Sequence, residues 1–189
     1  MTKHKHILLD CDGVLCDFVQ STIDFYKEHS GITKTEHDIV EFDIFKAFNS
    51  EDSVILWKEF REWANKESFC RNLPAYSNTK KIIDGLHELG EVRIVTSPFD
   101  TDFWHKERIE WLEQFGIEKN RIVFMKDKEF HDGDILIDDH HHNTNVWSEK
   151  WGRNAVLINR PWNKQFETGS KVIRTDIDNV LETVKTILR

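Results

Sequence analysis

Apolar residues in this chain fall into short runs separated by longer stretches in which they recur every three or four positions. Ile7-Leu8-Leu9, Val92-Arg93-Ile94-Val95, Arg121-Ile122-Val123-Phe124-Met125, Ile135-Leu136-Ile137 and Ala155–Ile158 have the length and apolar content of buried strands. Between them, near-helical spacing predicts a helix from Phe18 that stops at Gly31, one over 79–89 closed by Gly90, one over 102–115 and a last one over 176–188. Strands alternating with helices predict an α/β fold whose parallel strands all end along one edge of the sheet. One stretch departs from this rhythm. From about 33 to 69 no strand signal occurs, while Phe42, Phe45, Phe48, Trp57, Phe60, Trp63 and Phe69 sit among charges. That pattern predicts two helices, near 36–48 and 51–66, inserted into the alternation. The aromatic stripe reads chiefly as the core of a small helical subdomain and also allows the wall of a binding pocket.

The length of 189 residues fits one domain carrying a modest insertion, with enough chain for a real core. Charge then narrows the partners. With 26 basic against 34 acidic residues, net −8, a sequence-independent grip on a nucleic-acid polymer is not expected, although a small anion can still be held locally. Three cysteines do not form a disulfide framework, and Cys11 and Cys16 read as packed thiols because no basic flank lowers their pKa. The segment before the first strand, Met1 to His6, lacks a signal-like apolar stretch, so a cytoplasmic setting is expected. No apolar run approaches the roughly 20 residues that would cross a bilayer, so no membrane partner is expected.

The chemistry gathers at strand ends. The first apolar run stops in Asp10-Cys11-Asp12-Gly13, two carboxylates one residue apart that can face one pocket if the extended geometry continues. A hard cation such as Mg²⁺ would relieve their repulsion, and a strand followed by a plain Asp-Gly turn is the alternative. The second strand runs into Thr96-Ser97-Pro98, whose hydroxyls and exposed N–H groups suit phosphate oxygens or simply a Ser-Pro turn. On the next helix Arg108 shares a stripe with Trp104, Trp111 and Phe115, either snorkelling over the core or reaching towards the carboxylates. The fourth strand ends in Asp138-Asp139, supplying the further metal ligand that the first pair lacks. His140-His141-His142 follows, but three consecutive side chains do not generally converge on one ion, so these are read as loop or helix-start residues.

Together DCDGVL, VTSP and ILIDD resemble the haloacid dehalogenase-like superfamily of phosphohydrolases. DCDGVLCDF with TSP, EWLEQFG and PWN is most similar to the 5'(3')-deoxyribonucleotidase family. The resemblance covers nearly the whole chain and implies a Rossmann-like parallel-sheet core, 1–16 and 76–189, with a small helical cap at 17–75. It implies a Mg²⁺-dependent phosphatase of (deoxy)nucleoside monophosphates, with other small esters such as sugar phosphates, or a nucleic-acid 3'-phosphate, as the alternative substrates. Asp10 would be the nucleophile forming an aspartyl-phosphate, and Asp12 the acid and then the base. Thr96 and Ser97 would hold phosphoryl oxygens. Asp10, the Asp12 backbone carbonyl and Asp139 would bind the metal, with Asp138 orienting a metal water or a basic partner. The family has a lysine three residues before the helix tryptophan, where this chain has Arg108, with Lys106 as the substitute. Phe18, Phe45, Trp57 and Phe60 would stack on or enclose the base and sugar.

Overall fold

The computed structural model describes residues 5–48 and 53–189. Six strands, β1 (His6–Leu9), β2 (Glu91–Thr96), β3 (Ile122–Phe124), β4 (Ile135–Asp138), β5 (Ala155–Ile158) and β6 (Val172–Thr175), form one sheet in the order β3-β2-β1-β4-β5-β6. All five pairings are parallel. The alternation of side chains along each strand sorts the apolar runs into two layers. Ile7, Leu9, Val92, Ile94, Ile135, Ile137, Val156 and Ile158 face the helices α4 (Thr79–Leu89), α5 (Trp104–Glu113) and α7 (Val180–Leu188), while Leu8, Val95, Leu136, Ala155 and Leu157 face α6 (His141–Trp151) through Trp147. Both faces are covered, which is why the central positions of β1, β4 and β5 are apolar on both sides of the sheet. Leu9 pairs with Ile94 on one side and Ile137 on the other, so Asp10 and Asp138 stand level with Val95, and Thr96 follows one residue further along the same edge.

Between β1 and α4 the chain forms α1 (Phe18–Ser30), α2 (Ile44–Ala47) and α3 (Ser53–Ala64), which share their own apolar cluster around Phe25, Phe45 and Phe60. Asp17 caps α1 by accepting from Gln20 N at 3.1 Å, and Gly31 closes it at φ 73°. The chain enters and leaves these helices side by side. Asp17 N donates to Pro74 O at 2.8 Å, Tyr76 N donates to Leu15 O at 3.0 Å, and Cys16 bridges Ala75 in antiparallel sense.

Three features differ from the sequence pattern. The single helix expected over 36–48 is a 3-10 turn at Glu36–Asp38 followed by extended chain and the short α2. Asp38 accepts from Thr35 N at 2.7 Å and Asp43 from Lys46 N at 3.2 Å, so two local side-chain bonds start two separate turns where one helix would need neither. The second expected helix is α3, and the proposed start at 51–52 lies outside the described residues. Strand β6 and helix α6 were not foreseen: β6 is a four-residue edge strand containing Arg174, and α6 places only Trp147 of its large apolar residues fully inside.

Candidate active site

Asp10 is the first residue past β1, and its N–H donates to Ile137 O at 2.9 Å, tying the loop to β4. The chain then turns through Gly13 at φ 75°. A Cβ there would lie 2.1 Å from Asp139 Oδ2, so only glycine lets the loop lie against that carboxylate. Carboxylate oxygens of Asp10, Asp138 and Asp139 lie within 4.8 Å of one another, and all three residues are buried. Lys128, in a 3-10 turn after β3, joins two of them: its Nζ is 2.7 Å from both Asp10 Oδ1 and Asp138 Oδ2.

The two late aspartates differ sharply in what remains free. Asp138 has both oxygens occupied, Oδ1 by His140 N at 2.7 Å and Oδ2 by Lys128 and by Asn143 Nδ2 at 3.0 Å. Among the described residues Asp139 has only Oδ2 occupied by a protein donor, Trp162 Nε1 at 2.8 Å, and it lines the cavity above the sheet edge. Burial, then the Asp138 charge, pushes the carboxyl of Asp10 well above the ordinary range, and the same causes raise Asp139 to about 7. Burial pulls the Lys128 ammonium down, but Asp10 and Asp138 outweigh it and raise it above its ordinary range. Three crowded acids against one lysine leave excess negative charge, and the donor set is all oxygen, so the site fits a hard divalent cation.

The cavity measures about 440 Å³. Its floor holds Asp10, Asp12, Thr96, Lys128 and Asp139, and its upper wall holds Phe18, Phe42, Ile44 and Trp57 from the inserted helices and the loops beside them. The Thr96 hydroxyl is buried beside this space without a hydrogen-bond partner among the described residues, a polar atom that a phosphoryl oxygen would satisfy. Trp57 is held by its Nε1–H, which donates to Asp43 Oδ1 at 2.9 Å, and Phe42 lies over the His140 ring at 3.9 Å between centroids.

Several sequence expectations take other positions. Arg108 is fully buried and reaches Asp12, Nη2 to Oδ1 at 2.7 Å, and Cys11 Sγ at 3.1 Å, with its guanidinium 4.6 Å from the Trp104 ring centre. It neither lines the cavity nor contacts Asp10, because the two tryptophans of α5 pack against it and hold it under the loop. Lys106 points into solvent on the outer side of α5, with Glu110 at 3.8 Å, so it does not replace Arg108. Phe45 and Phe60 are completely buried in the cluster of the inserted helices and do not line the cavity. They sit edge-on to Phe25, Trp57 and each other, which makes them supports for the wall. Ser97 lines the cavity and is exposed. His141 turns away and stacks on Phe166 at 3.6 Å, so the three histidines diverge. All three cysteines are free and buried.

Sequence reasoning missed Lys128, Arg160, Trp162 and Asn163 as individual site residues. A signal existed for Lys128: it follows a strand, at the edge where every other chemical residue was sought. Arg160 and Asn163 hold the loops from behind, Arg160 Nε to Gly13 O at 2.7 Å and Asn163 Nδ2 to Asp139 O at 2.7 Å, contacts that no local pattern reveals.

A parallel sheet in this strand order, carboxylates at the ends of β1 and β4, a buried lysine between them and helices inserted after β1 define a haloacid dehalogenase-like hydrolase. Solved structures agree at the level of fold: a Bacillus subtilis protein provisionally named a hydrolase of that class, solved with bound magnesium, aligns with TM-score 0.59 at 12% identity over 96% of this chain and 98% of its own. Residues 4–184 match the family described as 5' nucleotidase, deoxy (pyrimidine), cytosolic type C protein (NT5C), and the chain belongs to that family. It is therefore a phosphoric monoester hydrolase of the deoxyribonucleotidase-like kind. Among curated relatives, the 5'(3')-deoxyribonucleotidase of Bacillus subtilis is 25% identical over 162 residues, 85% of this chain and 88% of that protein. A Bordetella bronchiseptica protein provisionally given the same name is 31% identical over 167 residues, covering 84% and 85%. No described helix is long and apolar enough to cross a membrane.

Proposed function

We propose that this protein is a Mg²⁺-dependent phosphatase of (deoxy)nucleoside monophosphates that works through an aspartyl-phosphate on Asp10, with residues 17–75 closing over the core as a cap. The observation that carries this reading is the layering of one cavity, with acids, Lys128 and an unpartnered threonine hydroxyl below and aromatic rings above. A phosphate needs the first layer and a base the second. The names of the curated relatives support the nucleotide, and the family's description as cytosolic supports a cytoplasmic setting.

Asp10, Asp139 and the backbone carbonyl of Asp12 would hold Mg²⁺, which when bound withdraws charge from the phosphoryl oxygens. Lys128 pairs with Asp10 and Asp138 and opposes the burial that raises the Asp10 carboxyl. Thr96 and Ser97 donate to the phosphoryl oxygens. The Asp10 carboxylate attacks phosphorus through the oxygen that Lys128 does not hold, as the phosphorus–oxygen bond to the nucleoside breaks, and Asp12 gives its proton to the leaving oxygen. Asp12 then takes a proton from the water that attacks the acyl phosphate, releasing inorganic phosphate and regenerating the Asp10 carboxylate. Arg108 holds Asp12 Oδ1, so that the other oxygen serves the proton transfers.

Phosphate release from a panel of nucleoside and sugar monophosphates, with Mg²⁺ and with EDTA, tests the proposal. Deoxynucleoside monophosphates should turn over fastest, with no release in EDTA. A preference for sugar phosphates over every nucleotide would replace the substrate assignment.

A further inference from the structure

We propose that Trp162 is a positioning residue of the metal site, its indole holding one oxygen of Asp139 so that the other is presented to the cation, while its ring ties that carboxylate to the seating of the cap. The inference rests on the proposed Mg²⁺ site and adds a residue that touches neither metal nor phosphorus.

Trp162 stands in the 3-10 turn Pro161–Asn163 after β5, on the sheet side of the molecule. Its ring is 4% exposed and packs within the apolar cluster of the inserted helices, with Val19, Ile23, Ile39 and Ile44 among its members. Its Nε1–H turns the other way and donates to Asp139 Oδ2 at 2.8 Å. One side chain thus belongs to both layers. The same Oδ2 lies against the backbone of Gly13, where even a Cβ would collide with it, so the oxygen is enclosed between the catalytic loop and the indole. Asn163 fixes the other end of the residue by donating to the Asp139 carbonyl and to Ile158 O, both at 2.7 Å. With the backbone and one oxygen immobilised, the carboxylate keeps a single oxygen for a ligand and a single orientation in which to offer it.

Mg²⁺ demands near-octahedral geometry, so a carboxylate free to rotate binds it less well, and loss of a residue that orients a ligand typically costs 10- to 100-fold in metal affinity.

Titration calorimetry of the full chain with MgCl₂, without substrate, reads the effect directly. Trp162→Phe keeps an aromatic ring in the cap cluster and removes the N–H; it should weaken Mg²⁺ binding about 10- to 100-fold while far-UV circular dichroism stays that of the wild type. If that variant does not fold, site-specific replacement of Trp162 by benzothienylalanine, which swaps the N–H for sulfur in the same shape, should give the same loss. Wild-type Mg²⁺ affinity in either folded protein would overturn the positioning role and leave the proposed catalytic function standing. Failure of the wild type itself to bind Mg²⁺ would overturn the metal site and this inference together.

Discussion

The floor and the roof of the cavity differ in how far each side chain's position is determined. On the floor, Asp138 has every oxygen engaged, Asp10 shares Lys128 with it, and Gly13 admits Asp139 at a distance no other residue would permit. On the roof, Phe42 is 52% exposed and Trp57 is held by a single hydrogen bond. Charge-assisted hydrogen bonds among buried groups are directional and fix geometry, whereas the hydrophobic effect is non-directional and tolerates rearrangement. On the proposed function, the floor would carry the reaction and the roof would select what brings its phosphate there.

The largest test of that division is Asp10→Asn. The amide cannot form the acyl phosphate, so turnover should fall by about 10⁴-fold or more with the far-UV spectrum unchanged; near-wild-type phosphate release would remove the covalent mechanism. Lys128→Met should affect both stability and rate, because it strands two carboxylates inside. Breaking a buried pair costs about 3–5 kcal/mol, readable as a lowered urea midpoint, and a midpoint equal to wild type would mean that Lys128 does not hold the floor.

Metal removal separates the layers in another way. Asp139 is raised from 3.8 to about 7 by burial and then by Asp138. In EDTA the folded chain therefore binds a proton there that the unfolded chain has already lost, so stability should fall as pH rises from about 4 to about 7 and level off above it. Mg²⁺ should reverse the fall at pH 8, and a Tm that rises steadily across this window in EDTA would contradict the raised acid.

A roof substitution should be milder and selective. Phe18→Leu removes a ring that lies 5.7 Å from Phe60 and 5.8 Å from Trp104 while lining the cavity. Nucleotide kcat/KM should drop roughly 5- to 150-fold, the equivalent of about 1–3 kcal/mol of stacking, with p-nitrophenyl phosphate nearly unaffected. Equal losses on both substrates would make Phe18 mere packing. The smallest effect belongs to Lys106→Ala: steady-state kinetics should match wild type, because that ammonium stands in solvent outside both layers.

Sequence legibility follows the same division. Asp10, Asp12, Thr96 and Asp139 could be read because each ends an apolar run, and a parallel sheet brings all such ends to one edge. Strand β6 and helix α6 could not, since an edge strand and a helix touching the sheet mainly through Trp147 need little apolar content. The basic partner was sought on α5, where periodicity placed Arg108 inward correctly but could not say that Asp12 and Cys11, rather than phosphate, awaited it. Lys128 sits in a short turn without periodicity, and only the folded chain shows it between two acids. In the cap, spacing identified inward aromatics without separating those facing the cavity, Phe18 and Trp57, from those facing each other, Phe45 and Phe60.

The paired entry and exit of the cap, with Cys16 bridging Ala75 and the two chain segments hydrogen-bonded through Asp17, Pro74, Leu15 and Tyr76, bear on how such a protein changes over generations. Because the insertion begins and ends at neighbouring points, its length is almost irrelevant to the entropy of closing the core, which grows only logarithmically with loop size. Lengthening, shortening or exchanging everything beyond that neck leaves β1 and α4 where they are. A lineage can therefore rewrite one contiguous segment of its gene at little cost to the core, provided the new segment still packs against Trp162, whose indole holds Asp139.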